Sequence, residues 1–132
     1  MDDNHLISDG YIKPNGVSRL KEQSNYVSIG SKLDKNLLFC ANLRSDDLGL
    51  NWHPMSGVTG VYSESSTGVL YGINDTLGQI VSSSDKGITW NVIVKSSDLN
   101  KWWNNAYLSD LAYDEINNKL YVTAQWNSLF VI

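Results

Sequence analysis

The stretch Ser45-Asp46-Asp47-Leu48-Gly49-Leu50-Asn51-Trp52 returns later in the chain as Ser83-Ser84-Asp85-Lys86-Gly87-Ile88-Thr89-Trp90. Both read S-x-D-x-G-x-x-W, and their aspartates stand 38 residues apart. The physical logic of this octet is local. After a strand, an Asp carboxylate turns onto backbone N–H groups of a tight turn, Gly supplies a position at φ > 0, and Trp packs its ring beneath the turn as the next strand starts. Such an octet staples a hairpin, so Ser45, Asp47, Gly49, Trp52, Ser83, Asp85, Gly87, Thr89 and Trp90 are assigned to structure. On this reading Asp47 and Asp85 cap backbone and are neither metal ligands nor catalytic acids, and the two Trp are core anchors.

Outward from the octets, apolar residues follow a period of two. Val58-Thr59-Gly60-Val61-Tyr62, Val69-Leu70-Tyr71-Gly72-Ile73 and Lys119-Leu120-Tyr121-Val122-Thr123 are each bounded by Gly, Ser, Asn or Asp, the pattern of short strands. The segment from Val58 to Ile73 is also similar to that from Leu108 to Thr123: an apolar strand, a polar turn, then Leu-Tyr in a second strand. Four-strand units therefore repeat. The one helical stretch is Ser97 to Trp103, read as a loop with a single turn. Residues 1–24 are weakly patterned and form an N-terminal arm, with Pro14-Asn15-Gly16 as a turn.

Both octets resemble the Asp boxes of bacterial neuraminidase repeats, the turn between the third and fourth strands of a β-propeller blade. The resemblance implies an all-β chain over 25–132, a partial β-propeller of about three four-stranded antiparallel blades. Blade one takes strands from 10–20, 25–30, 36–44 and 50–53, and blade two from 58–63, 68–73, 78–83 and 88–94. Blade three takes 108–113, 119–124 and 128–132 and is incomplete. Closed propellers take 4 to 8 blades, so three leave exposed edges. The implication is a homo-oligomer or a part of a larger assembly.

Composition narrows the function classes. The chain has 132 residues, 10 Lys plus Arg against 14 Asp plus Glu, a net charge of −4 and 42% hydrophobic residues, which suits one domain with an ordinary core. No basic cluster is present, so no nucleic-acid partner is expected. Cys40 is the only cysteine, so it forms no internal disulfide. His5 and His53 have no metal spacing, and neither metal nor cofactor is expected. The acidic start Met1-Asp2-Asp3 carries no classical signal peptide, and no window is apolar enough for membrane insertion. The expectation is a soluble chain or one built into something larger, with the location unknown and virion-associated or cytoplasmic placement both open.

Binding chemistry concentrates in the link after the second octet, where Trp102 and Trp103 are flanked by Asn100, Asn104 and Asn105. In blade topology this link and the loops between second and third strands open onto the face opposite the Asp boxes. That places Asn74, Asp75 and Trp126 near it, with His53 from the earlier link. Aromatic faces flanked by Asn and Asp suit a sugar, whose C–H face stacks while its hydroxyls need fixed donors and acceptors. The expected function is therefore non-catalytic glycan recognition through Trp102, Trp103, Asn104, Asn74, Asp75, Trp126 and His53. The alternative is a structural or interaction subunit, such as a phage virion component, with one of Trp102 and Trp103 filling the gap between blades and the other covering an interface. A glycoside hydrolase fragment is the second alternative, since Asp34, Asp75, Asp98 and Asp110 include carboxylates that can meet in space. Sialidase chemistry is not expected, because that family needs an arginine cluster and this chain has only Arg19 and Arg44 and no Arg-Ile-Pro motif. No catalytic residue is assigned.

Overall fold

The computed structural model describes residues 28–95, 98, 108–124 and 128–132. Among the described residues there are eleven strands: β1 (Ser28–Gly30), β2 (Leu38–Cys40), β3 (Leu43–Ser45), β4 (His53–Pro54), β5 (Gly60–Glu64), β6 (Leu70–Asn74), β7 (Gln79–Ser83), β8 (Asn91–Lys95), β9 (Leu108–Asp114), β10 (Lys119–Ala124) and β11 (Ser128–Val131). They form three antiparallel sheets, each in chain order: β1-β2-β3-β4, β5-β6-β7-β8 and β9-β10-β11. The all-β expectation and the recurrence of hairpin-connected units are met. The N-terminal arm at 1–24 and the turn expected within 97–103 lie outside the described residues.

The first sheet differs from the sequence expectation. All four of its strands fall between residues 28 and 54, so it needs no strand from 10–20. Residues 36–44 were expected to form one strand, but they hold two, which turn at Ala41 (φ 53) so that Cys40 pairs with Leu43. The two-residue turn is Ala41-Asn42, so Asn42 was the local sign of a reversal inside a run read as one strand. The second sheet follows the expected ranges closely.

The sheets are joined by two apolar layers. Leu37, Phe39, Met55, Val58, Val61, Leu70 and Val81 are buried together between sheets one and two, with Trp90 packed against them. Ile73, Ile80, Leu108, Leu111, Leu120, Val122 and Ala124 fill the space between sheets two and three. Sheet two is thus buried on both faces, which the alternation of β6 makes possible: Leu70 faces one layer and Tyr71 and Ile73 the other. The first strands lie next to one another, β5 touching β1 on one side and β9 on the other.

Two carboxylates reinforce this stacking. Glu64 accepts bonds from Ser31 Oγ (2.6 Å) and Lys32 N (2.7 Å) in the β1–β2 turn. Glu115, in the β9–β10 turn, accepts from Ser66 N (2.9 Å) and Ser66 Oγ in the β5–β6 turn, and these bonds hold its carboxyl below the usual range. Each sheet therefore grips the first hairpin of the sheet before it.

Candidate functional site

The two octets share one hydrogen-bond pattern. Ser45 Oγ donates to Asp47 Oδ1 (2.8 Å) and accepts from Gly49 N (2.8 Å), and the same carboxylate oxygen accepts from Asn51 N (2.8 Å). In the second octet Ser83 Oγ donates to Asp85 (2.7 Å), Gly87 N donates to Ser83 Oγ (2.9 Å) and Thr89 N donates to Asp85 (2.9 Å). Gly49 and Gly87 sit at φ 88 and φ 86. Trp52 and Trp90 donate their indole N–H to the carbonyls of Gly49 and Gly87, at 3.0 and 3.1 Å. Asp47 is lowered to about 2, first by the Asn51 backbone N–H. Asp85 is lowered to about 2, first by the Thr89 hydroxyl. These carboxylates are spent on the turn, which leaves them poor proton donors or acceptors near neutral pH.

A polar cluster sits at the other ends of the strands. The pairing of β5 with β6 shifts register between Val61 and Ser63, which makes Tyr62 the extra residue of a β-bulge. A bulge re-aims the side chain it carries. The Tyr62 ring folds back over Gly60, where an added Cβ would lie 3.0 Å from the ring carbon Cε1, so glycine makes room for it. Burial raises the Tyr62 phenol above its ordinary value, and the negative charges of Asp110 and Asp75 raise it further. The phenol stays protonated and is a hydrogen-bond donor at neutral pH. A second bulge lies in β9, where Ser109 is the extra residue between the pairs Thr123–Asp110 and Ala124–Leu108. Ser109 and Thr123 hydroxyls meet at 3.0 Å.

Thr59 ties the link before β5 to the β6–β7 turn. Its Oγ1 donates to the Ile73 carbonyl (3.0 Å) and accepts from Asp75 N (2.8 Å). Asn74 is buried, and its Oδ1 accepts from Leu77 N (3.1 Å), so this oxygen shapes the turn. Asp75 is exposed. The Asn74–Asp75 segment and Tyr62 thus share one end of sheet two, and Asp110 of sheet three joins them.

The remaining expected residues divide in two. His53 is exposed, but it lies within β4 opposite Arg44 and not in the link to the next sheet, which spans 55–59. Trp102, Trp103, Asn104 and Trp126 lie outside the described residues. Of the four aspartates considered as a carboxylate pair, Asp75 and Asp110 act together on Tyr62, while Asp34 is at the octet end, bonded to Asn36 N (3.0 Å) and Lys86 Nζ (3.2 Å). Asp98 is exposed. Sequence reasoning missed Tyr62, Thr59 and Ser109. For Tyr62 a signal was present: an isolated Gly inside a strand pattern, here Gly60, marks a bulge or a close approach.

No family model, curated protein or solved structure matches this chain. Chemical assignment therefore rests on the geometry alone. Among the described residues, no group of three or more His, Cys, Asp or Glu is placed to hold a metal ion, and no helix is long and apolar enough to cross a membrane.

Proposed function

We propose that this chain is a non-catalytic binding module of Asp-box propeller type that recognises carbohydrate. The propeller reading is supported by two octets with matching hydrogen bonds and by three sheets stacked through their first strands. The observation that carries the ligand reading is the half-buried Tyr62 ring, aimed by a bulge at the end of sheet two where Asp75 and Asp110 are exposed and their charges are felt by its phenol. An aromatic ring with carboxylate acceptors in its neighbourhood answers the two needs of a sugar, one apolar face and several hydroxyls. The cluster stands at the octet-free ends of the strands, where the link bearing Trp102, Trp103 and Asn104 joins β8 to β9. These residues, with Asn74 and Trp126, complete the proposed site.

Hydrolysis through a tyrosine nucleophile is disfavoured, because such a nucleophile needs easy loss of its proton, and burial of Tyr62 together with the charges of Asp110 and Asp75 opposes that loss. The interaction-subunit reading has its own support in the exposed apolar face of sheet three, which bears Tyr121, Leu129 and Val131. A glycan array probed with the full chain, followed by calorimetry on Asp110→Asn and on the Trp102→Ala, Trp103→Ala double variant, tests the ligand reading. Expected is binding that falls at least tenfold in both variants with an unchanged β-sheet spectrum. Absence of any glycan binding, or affinities equal to that of the unmodified chain, overturns it.

A further inference from the structure

The three sheets repeat one pattern of faces. In sheet one Leu38 pairs with Ser45, and in sheet two Leu70 pairs with Ser83, so the first serine of each octet fixes the correspondence. The next residue on the second strand is Phe39 in sheet one and Tyr71 in sheet two. Both face forward, onto the following sheet. Phe39 is 2% exposed in the layer beneath sheet two, and the Tyr71 ring meets Tyr113 of sheet three with centroids 4.5 Å apart. In sheet three the same alternation gives buried Leu120 followed by Tyr121, and the register places Val131 opposite Tyr121 and Leu129 opposite Thr123. These forward-facing residues are uncovered: Tyr121 is 37%, Val131 53% and Leu129 60% exposed.

The correspondence also identifies what fits there. A forward face is covered in this molecule by the back face of the next sheet. The back face of sheet two presents Leu70, Val81 and Trp90, with Lys86 of the octet turn reaching Asp34 of sheet one at 3.2 Å. Their counterparts on sheet one are Leu38, Leu43, Trp52 and Leu48. Leu38, Leu43 and Trp52 are of intermediate burial, Cys40 on the same face is 6% exposed, and Leu48 is 40% exposed. The chain thus carries a forward face at one end and a matching back face at the other. We propose that a second copy of this chain docks the back face of its sheet one on the forward face of sheet three, a head-to-tail contact that continues the internal stacking. The contact holds whether or not a glycan binds.

Head-to-tail association has a signature that a self-complementary contact lacks. Light scattering on the full chain over a concentration series should give the mass of two or more chains. Leu129→Glu at the tail and Leu48→Glu at the head should each give the single-chain mass, with Val131→Glu as an independent tail variant. Both head and tail positions are exposed in the single chain, so neither substitution places a charge inside its fold. An equimolar mixture of the head and tail variants should recover a two-chain complex, because each pair keeps one intact contact. A single-chain mass for the unmodified protein, variants that still associate, or a mixture that stays single-chain overturns the proposal.

Discussion

The two octets are nearly identical inside and unlike outside. Each buries its serine, places its glycine near φ +87 and binds its aspartate to the backbone N–H four residues on. Their surroundings differ. An added Cβ on Gly87 would lie 2.8 Å from Phe39 Cε1, and Arg44 Nε donates to the Lys86 carbonyl at 2.7 Å, so the second turn is locked onto sheet one. At Gly49 the nearest atoms are 3.5 Å away and belong to its own Trp52. Trp90 packs against the layer between sheets, whereas Trp52 belongs to neither described layer. One motif therefore closes two equivalent turns, and its neighbours decide how much each contributes to the fold.

Three experiments sharpen or break this contrast. The largest gap is expected between the tryptophans. Trp90→Ala should cost about 3 kcal/mol, the low end for a large aromatic because its ring is partly exposed, and Trp52→Ala about half that. Urea unfolding of both variants measures the difference, and equal losses would show that sheet packing adds nothing to the second octet. The glycines come next. Alanine at either must adopt φ > 0, costing about 1 kcal/mol, and Gly87→Ala adds crowding against Phe39 of about 1 kcal/mol more. A loss at Gly49 matching that at Gly87 would contradict the locked arrangement.

The smallest expected difference is in acid, where the octets should behave alike. Both aspartates are lowered from 3.8 to about 2 in the folded chain, so their stabilising effect is present above pH 3.8 and fades as pH falls through about 2. Melting temperature should therefore drop between those values. Asp47→Asn and Asp85→Asn should each flatten the drop by a similar amount, since the cause lies within each turn. A variant that leaves the acid profile unchanged would remove its aspartate from the account.

The candidate site was less legible than the scaffold. Asn74 and Asp75 entered the reading as the loop between the second and third strands of a blade, and the structure places them in the β6–β7 turn. Tyr62 was read as an ordinary member of an alternating strand, although Gly60 two residues earlier carried a warning. A bulge is a mismatch between two strands, so neither strand alone reports it. Asp110 was one carboxylate among four until the packing of sheet three on sheet two set its charge near Tyr62.

By itself, the sequence determined the strands of sheets two and three and the hydrogen bonds that Ser, Asp and Gly make within the two octet turns, whereas Trp52, read with Trp90 as a core anchor, lies in neither described layer. These features follow from alternation and from hydrogen bonds spanning at most four residues, so nearby residues suffice to specify them. Only the tertiary structure decided that sheet two is buried on both faces, that Glu64 and Glu115 grip preceding hairpins, and that the charges of Asp75 and Asp110 fall near Tyr62. Each of these joins groups far apart in the chain or depends on register between strands. Such proximity arises from packing whole faces together, which no short stretch of residues encodes.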